Sequence, residues 1–214
     1  MFGRKRSEIA AQWLSRIGQA QALAGDDLSP TVMAMHALTF PSTLHHTIRT
    51  SALGQVLVVG HLGGLVEVWL GDDATSHLQL LANRYAGAQW EGGNAEFHQW
   101  ADAVVQMAQG VQGIPQPPVQ VLQGTAFQYR VWRALRSIAP GQTWTYAQLA
   151  QSISQPLAVR AVASACAANP VAVVVPCHRV VRSDGGLGGY RWGLQRKRQL
   201  LANEAAMAVH HRSG

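Results

Sequence analysis

Val171 to Val175 is an unbroken apolar run that leads through Pro176 to Cys177, with His178, Arg179 and Val180 following. The run is short and mostly β-branched, the pattern of a strand buried on both faces. Proline cannot donate to a ladder, so Pro176 is expected to end that strand. Any fold open to the chain must bury this segment and hold Cys177 rigidly where strand gives way to loop. A buried cysteine can be an inert packing residue. The adjacent histidine and arginine favour a reactive one, because a thiolate at neutral pH needs a base or positive charge nearby.

A chain of 214 residues with 48% hydrophobic content can bury the core of one or two domains. It has no run of eighteen apolar residues and no apolar signal core after the basic Met1 to Arg6, so neither a membrane span nor a secretory signal is expected. Cys166 and Cys177 are the only cysteines. They imply no disulfide framework and no zinc site, and they suit a reducing cytoplasm. Charge is uneven: residues 1–120 carry 6 Lys and Arg against 9 Asp and Glu (−3), and residues 121–214 carry 11 against 2 (+9). A polyanionic partner for the second half is plausible on this ground, as is a merely solvated basic surface.

Periodicity divides the chain further. Residues 1–25 read as an amphipathic helix, with Ile9, Trp13, Ile17 and Ala20 on one face, followed by a linker. Strands over Leu44 to Thr50, Gln55 to Gly60 and Leu65 to Leu70 read as a meander. Helices follow, from Asp73 as N-cap to about Tyr85 and from Asn94 to about Gln109. Gly110 to Pro118 reads as an interdomain linker. Thr125 caps the next helix, which buries Phe127, Val131, Trp132, Leu135 and Ile138. A short helix from Thr145 to Ser152 and another from Pro156 to Asn169 make a helix-turn-helix pattern. Val159, Val162, Ala163 and Cys166 are expected on the buried face of the second. Arg160, Ala161, Ser164, Ala165 and Ala168 are expected on the other, an exposed face unusually small and uncharged. Such a face permits close approach to a groove, although helix propensity also explains the alanines.

These landmarks, with Gly124 to Phe127, Val131–Trp132, Pro140-x-Gly-x-Thr-x-x-Tyr146, Asn169–Pro170 and Gly189 to Gly193, resemble in order and spacing those of the O6-alkylguanine-DNA alkyltransferases. The match covers about residues 121–206 closely and 44–120 loosely. The resemblance implies an α/β fold class. A small N-terminal α/β domain (a ribonuclease-H-like meander plus helices) over 44–118 precedes a mainly α-helical domain with a helix-turn-helix over 119–207. Residues 1–43 and the tail 208–214 have no implied role. The metal-binding cysteine cluster of some bacterial members has no counterpart here, so neither methylphosphotriester repair nor transcriptional activation is expected.

The resemblance also implies roles. Cys177 is the acceptor of an alkyl group from O6-alkylguanine or O4-alkylthymine, His178 its base through water, and Glu204 the carboxylate that orients the histidine. Tyr146 donates to guanine N3. Arg160 fills the space of a flipped nucleotide, with Ala161, Ser164 and Ala165 on the same helix against DNA. Asn169 ties that helix to the active-site segment. The backbone at Cys177 and Val180 reads the base, and Tyr190, Arg191 and Trp192 belong to a loop that closes over it. Trp192 is expected to take up space beside the alkyl group and Ala172 to leave some. Leu157 stands where many relatives carry a basic residue. The implied partner is double-stranded DNA, entered through the minor groove by a monomer, with no cofactor because a thioether is the end point. On the residues alone two other readings stay open. One is a DNA-binding module that senses alkylated bases without accepting the group, which Cys177 argues against. The other is a cysteine hydrolase with a Cys177–His178–Glu204 triad.

Overall fold

The computed structural model describes residues 41–210, part of one compact unit that starts at Pro41. The helix expected over 1–25 and most of its linker lie outside the described residues. β1 (Thr43–Ser51), β2 (Gly54–His61) and β3 (Gly64–Gly71) form the antiparallel meander, with Ile48 opposite Leu57 and Leu57 opposite Trp69. α1 (Ala74–Arg84) starts at Asp73, whose carboxylate accepts from the Ser76 N–H at 3.0 Å. β4 (Gln89–Glu91) then adds to β1 in parallel, giving the order β3-β2-β1-β4. At three residues, β4 is too short to show a period in the sequence. α2 (Ala95–Ala108) is capped by Asn94.

The sheet is covered on both sides, so β2 is apolar on both faces. Val56 and Val58 share a core with Phe97, Ala101 and Val104 of α2, while Leu57 and Val59 share one with Leu44 and with Leu81 of α1. Each such side chain contributes roughly 1.5–3 kcal/mol on burial.

The helical half consists of α3 (Ala126–Leu135), β5 (Trp144–Thr145), α4 (Tyr146–Ser152), α5 (Val159–Ala167), a 3-10 turn (Cys177–Arg179), β6 (Val180–Val181) and α6 (Leu194–His210). α3 and α4 both open on capping boxes, Thr125 with Gln128 and Thr145 with Gln148. The apolar core of this half is continuous with the α2 face of the sheet.

Three expectations are corrected. Val171 to Val175 is buried, as expected, but it is a compact turn and not a strand. Only Val171 bridges to the sheet, opposite Val68, and the Val175 N–H returns to the Val171 carbonyl at 3.0 Å. The Asn169 side chain ties the two ends of the turn together. Its Oδ1 accepts from Val171 N–H (2.9 Å) and its Nδ2 donates to the Val175 carbonyl (2.7 Å). Val173 sits at φ 69° inside this turn, a left-handed conformation that costs a non-glycine residue about 1–2 kcal/mol. The second correction is that α5 begins at Val159, not Pro156. Ser154 is left-handed (φ 57°) and the Ala158 N–H closes a tight turn on the Gln155 carbonyl, so Pro156 and Leu157 lie before the helix. Third, Ala165 faces inward at 2% exposure, where its carbonyl accepts from Trp132 Nε1 at 2.8 Å. The buried stripe of α5 is Val162, Ala165 and Cys166, which leaves Arg160, Ala161 and Ser164 exposed.

The free edge of β3 positions the functional segment. Val68 N–H donates to the Pro170 carbonyl and Ala172 N–H to the Val68 carbonyl, at 2.9 and 3.1 Å. Pairing an otherwise open sheet edge fixes the turn that carries Cys177.

Candidate active site

Cys177 opens the 3-10 turn with 5% exposure. Its sulfur accepts from Asn169 Nδ2 at 3.2 Å, the same amide that closes the valine turn. Burial pushes the thiol up to about 11, against the pull of the Asn169 hydrogen bond and the Lys197 charge. The resting side chain is therefore a protonated thiol that needs a base.

His178 is fully buried beside it. Nε2 lies 2.8 Å from Glu204 Oε1. A carboxylate can only accept there, so Nε2 carries the proton and Nδ1 keeps its lone pair. Among the described residues Nδ1 has no hydrogen-bond partner. Burial lowers the His178 pKa, although Glu204 opposes this, so the imidazole is neutral at neutral pH.

Glu204 comes from α6, 26 residues away. It accepts from Arg179 Nη2 at 2.8 Å and Nε at 3.1 Å, and from the Gly141 N–H at 3.0 Å. Burial alone would raise its pKa, but the hydrogen bonds from His178 and Arg179 and the Arg179 charge outweigh this and bring it to about 2. A thiol, a neutral imidazole and a fixed carboxylate thus stand in the order nucleophile, base, orienter.

Tyr146, at the start of α4, reaches the same place from another direction. Gly188 (φ 67°) lies so close to it that an added Cβ would meet the Tyr146 hydroxyl at 2.8 Å, which only glycine permits. The loop after β6 continues with Tyr190, whose ring meets His178 edge-on at 6.5 Å and Trp192 at 5.1 Å. Trp192 is buried in the core, while the Arg191 guanidinium reaches the Asn169 carbonyl at 3.4 Å. The structure thus gathers Cys177, His178, Glu204, Asn169, Tyr146 and Tyr190 around one thiol. Arg160, Ala161 and Ser164 stand apart on the outer face of α5, and Leu157 before it is 98% exposed.

The sequence reading made Arg179 a positive charge beside the thiol, but its side chain turns to Glu204 and the Ile138 carbonyl instead; that reading gave no role to the Gly141 N–H or Lys197. Lys197, Leu200 and Glu204 follow the i, i+3, i+7 spacing of one helix face, and all three are buried. That spacing was the available signal for Lys197.

Among the described residues no helix is long and apolar enough to cross a membrane, and no group of three or more His, Cys, Asp or Glu could hold a metal ion.

Residues 126–206 match the family described as 6-O-methylguanine DNA methyltransferase, DNA binding domain. Over 162 residues the chain is 43% identical to the bifunctional transcriptional activator/DNA repair enzyme Ada of Escherichia coli K12, covering 76% of this chain and 46% of that protein. Over 83 residues it is 53% identical to a methylated-DNA–protein-cysteine methyltransferase of Mycolicibacterium paratuberculosis, covering 39% and 50%. The chain spans about half the length of these sequence relatives. Among solved structures, OGT of Mycobacterium tuberculosis in complex with DNA superposes with a TM-score of 0.64 at 31% identity, covering 76% of this chain and 93% of that one.

Proposed function

Because the chain belongs to the O6-methylguanine-DNA methyltransferase family, we propose that it moves the alkyl group of O6-alkylguanine in DNA, and of O4-alkylthymine, onto its own Cys177. The transfer is a single irreversible turnover, that of a methylated-DNA–protein-cysteine S-methyltransferase. The observation that carries this reading is the buried Cys177 thiol beside a neutral imidazole whose proton is fixed on the far nitrogen by Glu204.

The chemistry follows from that arrangement. His178 Nδ1 takes the thiol proton through a water molecule. The sulfur attacks the alkyl carbon, the S–C bond forms as the C–O6 bond breaks, and the electron pair leaves with the purine. The Tyr146 hydroxyl donates to N3 and stabilises the departing base. The carbonyls of Cys177 and Val180 already accept from the Val180 N–H and from Lys197, and each keeps a second lone pair for the exocyclic amine of guanine. The product is a thioether, which water does not cleave, so no cofactor takes part.

The alkylated base lies inside the duplex and must be extruded, which costs a few kcal/mol. In our reading α5 enters the minor groove as part of a monomer. Ala161 and Ser164 allow close approach and Arg160 fills the space of the flipped nucleotide. Leu157 contributes no charge to this face. Tyr190, Arg191 and Trp192 close over the base. An acceptor that must stay reduced suits the cytoplasm.

The test is mass spectrometry after incubation with a duplex containing O6-methylguanine. The expected result is one methyl group on Cys177 and no turnover beyond one equivalent. Unmodified Cys177 overturns the proposal, and repeated turnover on an ester favours a hydrolase.

A pH dependence follows with a definite sign. The folded His178 pKa lies below its ordinary 6.5. The base therefore stays neutral down to pH 6.5 and is lost only as pH falls below it, through the depressed value. Single-turnover rates between pH 5 and 8 are expected to show an acid limb below 6.5. A limb centred above 6.5 would contradict the neutral-imidazole assignment.

A further inference from the structure

A cleft of about 240 Å³ opens where the sheet meets the end of α5, lined among others by Glu67, Arg84, Gln123, Ala168, Pro170 and Arg191. Its one acid is already committed. Glu67 is 2% exposed on β3, and its two oxygens accept from His77 Nε2 at 3.0 Å and from Arg84 Nη1 at 3.2 Å. A guanidinium carries five N–H donors in a rigid fork, so the bond to Glu67 orients Arg84 without exhausting it. The Arg84 side chain stays 40% exposed.

Arg191 enters the same cleft from the loop after β6. Its Nη1 reaches the Asn169 carbonyl at 3.4 Å, and its guanidinium lies 5.8 Å from the centroid of the Trp192 ring. Among the described residues no carboxylate pairs with it. A clamp of α1 on β3 explains Glu67, His77 and one donor of Arg84. It does not explain why a second guanidinium, from the other half of the chain, converges on this space without an acid of its own. Like charges in one cleft repel unless an anion lies between them. An anion whose oxygens accept from two guanidinium forks has the chemistry of a phosphate.

The rim of the cleft points to the source of that phosphate. Arg160, Ser164 and Ala168 stand at i, i+4 and i+8 along α5 and its C-cap, hence on one face, and Ala168 borders the cleft. At 1.5 Å per residue the cleft begins about 12 Å along the helix from Arg160. The minor groove is about 6 Å wide, with a phosphate backbone on either side. A helix that puts Arg160 into the groove meets backbone within that distance. Leu157 leaves the other end of α5 without a cation.

We infer that Arg84 and Arg191 clasp one backbone phosphate of the bound duplex beside the end of α5. The N-terminal half of the chain, outside the matched DNA-binding residues 126–206, then holds DNA as well. The inference rests on the function proposed above for the duplex as partner, but not for the methyl transfer.

The salt dependence of binding reads this contact. The protein is the full chain carrying Cys177→Ala, so that no group is transferred, and the ligand is an O6-methylguanine duplex. Log K falls linearly with log salt, by about 0.9 for each phosphate contact. Arg84→Gln is expected to make that slope shallower by about one, and Arg84→Lys, which keeps the charge, to restore most of it. His77→Ala removes the other partner of Glu67 and leaves Arg84 in place. It is expected to lower stability and keep the slope. An unchanged slope in folded Arg84→Gln overturns the inference, and so does an equal loss of slope in His77→Ala, which would make the cluster structural only.

A second measurement needs no substitution at Arg84. Phenylglyoxal modifies accessible guanidinia, and peptide masses report each arginine. The duplex is expected to protect Arg84, while Arg49, paired with Asp102, reacts as it does in the free protein. Protection of Arg84 by inorganic phosphate but not by the duplex overturns the assignment to DNA, and protection by neither overturns the site. If slope and protection both hold while the unmodified protein leaves Cys177 unmethylated, the transfer proposal fails and the phosphate contact stands. A methylated Cys177 with no response at Arg84 sinks this inference alone.

Discussion

Cys177→Ala is expected to abolish the proposed methyl transfer and to leave DNA affinity within about tenfold, or 1.4 kcal/mol, of the unmodified protein. The transfer is lost because no other nucleophile is available. Cys166 is buried on the inner face of α5, and burial pushes its thiol far above the ordinary range. The fold survives because Asn169 keeps its bonds to Val171 and Val175 after the sulfur is gone. DNA affinity is expected to survive because Arg160, Ala161 and Ser164, the proposed DNA contacts, are exposed on the outer face of α5. Gel-shift titration and mass spectrometry on the same preparations check both halves. The companion variant Cys166→Ser buries a hydroxyl at a cost of about 1–3 kcal/mol but keeps transfer. A folded Cys166→Ser protein without transfer would reverse the assignment of the two thiols.

Glu204→Ala is expected to have the largest effect on stability. It removes the acceptor shared by the buried Arg179 guanidinium and His178 Nε2–H, and by the Gly141 N–H at the surface. Removing one partner of a buried pair costs about 3–5 kcal/mol, which in a chain of this size lowers Tm by roughly 6–20 °C. Transfer fails too, because His178 loses the contact that fixes its proton on Nε2. Stability and catalysis can be separated. In the double variant Arg179→Met with Glu204→Leu the guanidinium is no longer stranded, so much of the stability should return while transfer stays lost. Thermal unfolding of the three proteins gives the answer. A drop below about 1 kcal/mol for Glu204→Ala would mean that the carboxylate is not holding these groups together.

The sequence alone determined whatever depends on a residue and its near neighbours. The three strands of the meander follow from short apolar runs and the glycines between them. The starts of α1, α2, α3 and α4 follow from Asp73, Asn94, Thr125 and Thr145, since a cap acts on N–H groups two or three residues away. Cys177, His178, Tyr146, Asn169 and Glu204 were named from the family resemblance, and the structure sets Asn169 on the thiol and Glu204 behind His178.

Tertiary structure decided the rest. Val171 to Val175 has the composition of a strand. It becomes a turn because Asn169 and the β3 edge supply its hydrogen-bond partners, and no local pattern records those. Ala165 was misassigned because alanine carries no signal of which way it faces, and its burial depends on Trp132 from another helix. The start of α5 moved because a left-handed Ser154 reverses the chain before Pro156 can begin a helix. The partnerships of Arg179 with Glu204 and of Lys197 with Val180, Leu187 and Gly189 join groups 8 to 25 residues apart. A buried charge is tolerable only where such partners converge. Their convergence follows from the packing of α6 against the turn that carries Cys177, and helix periodicity alone cannot predict it.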